Sequence, residues 1–78
     1  MHFPSREQIA ALQRQYPRGT RVELLGMDDP QAPPMGTRGE VMGIDDAGQL
    51  LVRWETGSSL SLIPDVDSFR IAEKGDRS

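Results

Sequence analysis

Three pairs of aspartates, Asp28/Asp29, Asp45/Asp46 and Asp65/Asp67, and the hydroxyls of Ser58, Ser59 and Ser61 are the groups in this sequence best suited to chemistry. A hard cation wants several oxygens from one loop, and acid–base catalysis wants two carboxyls in a cleft. None of the pairs has the spacing of a calcium loop. Each stands in a turn, where aspartate bonds its own backbone two residues on, so the pairs read as turn formers. A serine nucleophile needs a base beside it, and the only histidine, His2, sits at the terminus, where the chain is expected to be flexible. The serines are expected to bond turn and strand backbone instead. Gly36-Thr37-Arg38-Gly39 lacks the lysine and the following helix of a phosphate loop. The chain has no cysteine, hence no disulfide and no thiolate metal site, as a reducing cytoplasm would suit. Together these readings predict a protein that is not an enzyme and holds no metal and no cofactor.

The four aromatic residues Phe3, Tyr16, Trp54 and Phe69 are too few for a methyl-lysine cage or a stacking platform once the core has taken its share. The formal net charge of −3 disfavours nonspecific binding to nucleic acid, which depends on a positive surface. Basic residues do gather early in the chain, as Arg6, Arg14, Arg18 and Arg21, whereas acids dominate the rest. A nucleic-acid-associated accessory protein using Arg14, Arg18 and Arg21 is therefore the alternative reading. No apolar run approaches 18 residues, so no membrane span is expected, and residues 1–8 lack the order of a signal peptide.

Seventy-eight residues make a single domain, 1–78. Ser5 and Gln8 have the spacing of a capping box, and Ile9, Leu12 and Tyr16 recur on one helical stripe until Pro17 stops it. The helix is placed at about 5–15, and it must dock on something to be stable. The period then changes to two: Val22 and Leu24 alternate with Arg21 and Glu23, and Leu50, Val52 and Trp54 share a face. Strands are predicted at 20–25, 39–44, 49–54, 60–62 and 69–71, followed by a polar, frayed tail at 72–78. Gly48 and Gly57 are expected at positive φ in the turns. Five short antiparallel strands bury one face by curling, which predicts a mostly β fold: a five-stranded SH3-like barrel over about 20–71 behind a short N-terminal α-helix.

The run Gly36-Thr37-Arg38-Gly39-Glu40-Val41 through Val52-Arg53-Trp54, with Met27-Asp28-Asp29-Pro30 before it and Gly57-Ser58-Ser59-Leu60 after it, resembles a family of small bacterial domains of unknown function. Members also occur on phages and other mobile elements, and the similarity runs from Phe3 to about Ile71. More loosely, Gly-Thr-Arg-Gly-Glu-Val with its hairpin is similar to SH3-like modules, including the KOW segments of ribosome and transcription proteins and barrels of ubiquitin-ligase adaptors. The likeness implies a fold and brings no activity.

The long loop is where an interaction is expected. Met27, Pro30, Pro33, Pro34 and Met35 are apolar residues that the strand pattern leaves outside the core, and Asp28 and Asp29 lie among them. In a small barrel this loop folds beside the turn carrying Trp54, Glu55, Ser58 and Ser59. These residues form the predicted binding surface for a protein or peptide partner; the rival reading is that the loop folds on the barrel or the helix and covers an edge.

Overall fold

The computed structural model describes residues 4–73. His2, Phe3 and residues 74–78 lie outside that range, and with them the expected flexible terminus and most of the expected frayed tail. Within it the order is α1 (Arg6–Gln15), β1 (Arg21–Gly26), β2 (Arg38–Ile44), β3 (Leu50–Trp54) and β4 (Ser68–Glu73).

The helix begins where the capping box requires. Gln8 N–H donates to Ser5 Oγ at 3.1 Å, and Ser5 N–H donates to Gln8 Oε1 at 2.7 Å. Two orphan donors are thereby satisfied. It ends at Tyr16, whose φ of −128° and ψ of 69° leave the helical region just before Pro17. None of its residues is fully buried, and Ile9 and Leu12 are half-buried. Its docking point is the β2–β3 turn. A Cβ at Gly48 would stand 3.1 Å from Pro4 Cγ and 3.5 Å from Leu12 Cδ1, and Gly48 has φ +82°. Both the space and the backbone angle therefore call for glycine. At its other end, Tyr16 meets Phe69 of β4, ring centroids 5.6 Å apart and tilted by 53°.

The four strands form one antiparallel sheet in the order β3-β2-β1-β4. Its inner face supplies the core: Val22, Leu24, Val41, Leu50, Val52 and Trp54, joined by Leu62, with Tyr16, Met27, Ile44, Leu60 and Phe69 packed around them. Gly39 makes room for the largest of these. A Cβ there would lie 2.6 Å from Val52 Cγ1 and 2.8 Å from Trp54 Cε3. Trp54 is 2% exposed, as its phase with Leu50 and Val52 predicts.

The strand expected at 60–62 is not formed, and the sheet is open with four strands where five were predicted. Trp54 N–H donates to Ser58 carbonyl at 2.8 Å, and Leu50 and Leu62 exchange both backbone bonds at 2.8 and 2.9 Å. These are the two ends of a hairpin register. The pair between them, Val52 with Leu60, is missing because both backbone groups of Leu60 are engaged elsewhere. Its carbonyl accepts the Trp54 indole N–H at 2.8 Å, and its N–H donates to Ser58 Oγ at 3.3 Å. Two side chains thus compete with the ladder and reduce a strand to one bridge, Leu50↔Leu62. The last strand is longer than expected, with Ser68 opposite Gly26 and Glu73 opposite Arg21 of β1.

The outer face of the sheet is a charge lattice. One row crosses all four strands as Arg53, Glu40, Arg21 and Glu73, paired in that order by the sheet register. The row beside it runs Arg38, Glu23 and Arg70, and Glu55, whose N–H donates to Arg38 carbonyl at 2.9 Å, extends it past β2. Sign alternates along both rows and between them. Ion pairs join Arg53 to Glu40 at 3.7 Å, Arg21 to Glu73 at 3.8 Å and Arg38 to Glu23 at 3.8 Å, and Arg70 also grips Glu23.

Candidate functional site

The long loop hangs from one residue of β1. Leu24 carbonyl accepts from Gly36 N–H at 2.7 Å, and Leu24 N–H donates to Thr37 carbonyl at 2.9 Å. Between these anchors Asp29 organises a turn, taking Gln31 N–H on Oδ1 at 2.8 Å while its carbonyl takes Ala32 N–H at 3.0 Å. Pro33 is buried, whereas Pro30, Pro34 and Met35 are exposed, Met35 to 76%.

The start of this loop, and not its proline-rich middle, lines a groove of about 370 Å³. One bank is Met27, Asp28 and Asp29, the other draws on residues of the 60–67 segment, and Gln49 completes the lining. Leu60, Ile63 and Val66 give the second bank an apolar strip, with Val66 71% and Ile63 38% exposed. Asp67 holds that bank in shape. Its Oδ2 accepts Ile63 N–H at 2.8 Å, while Ile63 carbonyl takes Val66 N–H at 3.0 Å and Asp67 N–H at 2.9 Å. Among the described residues neither Asp28, Asp29 nor Asp67 forms an ion pair.

The predicted surface is therefore divided. Met27, Asp28 and Asp29 meet in the groove, while Trp54 and Glu55 line a separate recess of about 280 Å³ with Arg21, Gly39, Glu40, Arg53 and Gly57. Ser58 and Ser59 line neither, and Ser58 spends its hydroxyl on Leu60 N–H. The bank at 60–67 was missed by sequence reasoning. Its available signal was Ile63 and Val66 flanking Pro64-Asp65, two large apolar residues out of phase with the core. A broader recess of about 500 Å³ between α1 and residues 63–65 is the seam along which the helix docks, floored by Leu12, Tyr16 and Gly48.

The aspartates act on backbone. Asp45 Oδ1 accepts from Ala47 N–H at 3.0 Å and from Gln49 N–H at 2.9 Å, and Asp29 and Asp67 do the like in their turns. Among the described residues no three acidic or histidine side chains gather to hold a metal ion. Of the arginines proposed for nucleic acid, Arg14 and Arg18 are exposed, and Arg21 is held in the charge lattice by Glu73. No helix is long and apolar enough to cross a membrane, among the residues described.

This chain belongs to the family described as Domain of unknown function (DUF4314), whose model matches residues 5–72. That agrees with the resemblance drawn from its sequence to a domain family of unknown function. No curated protein and no solved structure matches it.

Proposed function

With membership of that family as the premise, we propose that the chain is a non-catalytic interaction module that binds a protein or peptide partner in the groove between residues 27–29 and 60–67. The carrying observation is an exposed apolar strip of Ile63 and Val66 facing Asp28 and Asp29, acids that no cation of the chain neutralises among the described residues. Exposed apolar surface of this kind marks contacts, and uncompensated acids favour a neutral or basic partner over a polyanion. In this reading the curled sheet is an SH3-like barrel whose fourth strand has shrunk to the Leu50↔Leu62 bridge. Its resemblance to domains of bacteria, phages and mobile elements supports a cytoplasmic role beside such partners. A photo-crosslinking residue replacing Val66 tests the proposal, with a second replacing Ala11 on the helix as control. A protein adduct from position 66 that disappears with Asp28→Lys is expected. Adducts to nucleic acid, or from position 11 alone, would sink it.

A further inference from the structure

The groove has main chain on offer as well as side chains. Leu62 turns both its N–H and its carbonyl toward Leu50. Its neighbour Ser61 helps to line the groove with an N–H and a carbonyl that do not join the Leu50–Leu62 pairing. Among the described residues those two groups meet no hydrogen-bond partner, and neither do those of Ser59, two positions back on the chain. The unpaired stretch stops at residue 63, where Asp67 Oδ2 has taken Ile63 N–H and the turn has taken Ile63 carbonyl. An open edge of this kind is a template for another chain.

We infer that the partner segment enters as an extended strand, antiparallel or parallel to residues 59–61, carrying apolar and basic residues in alternation. This rests on the interaction reading above and gives it a bound geometry. The main-chain bonds fall on Ser59 and Ser61, because only these rungs are open. Apolar side chains of the segment face Ile63 and Val66, and its lysines or arginines reach Asp28 and Asp29 on the opposite bank. Main-chain pairing supplies affinity in such augmentation, and the alternate side chains supply choice. The Asp67 turn fixes where the added strand must end.

The test is an amide chemical-shift titration of the intact domain with three synthetic heptapeptides. One alternates lysine and valine, one is the same peptide with alternate amides N-methylated, and one alternates glutamate and valine. Saturable shifts at Ser59, Ser61, Asp28 and Asp29 are expected for the first, with affinity at least tenfold weaker for the second and no shift for the third. Equal affinity for the methylated peptide overturns the added strand and leaves the interaction reading standing. Groove shifts with the glutamate peptide, or none with the lysine peptide, overturn it too. The parent reading falls separately, if position 66 captures no protein in the crosslinking experiment.

Discussion

The outer face of the sheet and the groove below it carry similar numbers of acids and use them in opposite ways. On the sheet each glutamate of β1, β2 and β4 stands against an arginine of a neighbouring strand, and Glu23 against two. In the groove three aspartates face solvent or backbone N–H groups, with no cation of the chain beside them among the described residues. Paired in this way, and with Glu55 beside Arg38, the charges of the sheet leave no net excess of either sign on its outer face. A charge that is unanswered raises the cost of the folded state slightly and offers attraction to whatever arrives. The acids of the sheet face are thus matched within the sheet, Arg21 among their partners, whereas those of the groove are unmatched among the described residues.

The comparison breaks most heavily if the sheet itself is distorted. Gly39→Val forces two methyl groups into the space of the Trp54 ring and toward the Arg53 carbonyl at 3.1 Å, which cannot retreat far. We expect urea denaturation to read a loss of about 3 kcal/mol, the upper part of the usual range for overpacking. Stability within about 0.5 kcal/mol of the parent would mean that the core has slack the structure denies it. Next in size is Trp54→Phe, which removes the indole N–H from Leu60 carbonyl and vacates part of the ring's volume. A loss of about 2 kcal/mol is expected. The freed carbonyl also lets Leu60 pair with Val52, so hydrogen-exchange protection at residues 60–62 that falls in step with stability would count against the competition described above.

The lattice is sharpened by Glu23→Gln, which loosens Arg38 and Arg70 together. Because the arginines are half exposed, about 0.5–1 kcal/mol is expected, shrinking as sodium chloride is added. A loss that salt leaves unchanged would show packing, not charge, at that position. The smallest effect belongs to the groove. Asp28→Asn should change stability by less than about 0.5 kcal/mol, and in the direction of stabilisation, since it removes repulsion from Asp29 and Asp67 without breaking a bond. A clear destabilisation would reveal a partner inside the chain for an acid that we describe as unmatched.

Much of this was legible in the residues. The capping box at Ser5 and Gln8, the period-two faces of β1 and β3 and the turn glycines Gly48 and Gly57, at φ +82° and +93°, each follow from a local rule that nothing distant overrides. Residues 60–62 failed for the opposite reason. Their alternation is that of a strand, and the outcome depends on a tryptophan six residues away choosing a backbone carbonyl. The charge lattice was spelled out as Arg21-Val22-Glu23, Arg38-Gly39-Glu40 and Arg53-Trp54-Glu55, but its meaning lies in the register between strands, which the linear order does not contain. Met27, Asp28 and Asp29, singled out because the strand pattern leaves them outside the sheet, line the groove, although Met27 also packs against the core. Trp54 lies in the core beside Gly39 and lines a recess apart from the groove, a separation that depends on strand register and not on local spacing.

Leu24 clasps the far end of the long loop back onto β1 through both its N–H and its carbonyl, so the chain between Leu24 and Gly36 is closed at its base. Chain length there is mechanically separate from the sheet. Lengthening such a loop twofold costs only about 0.6 kcal/mol in closure entropy, so long as the clasp and the buried Pro33 are kept. The segment between Asp29 and Pro33 is therefore the place where the domain can vary in size and composition while Met27 and Asp28 keep their station, and where foreign sequence can be grafted with the scaffold left intact.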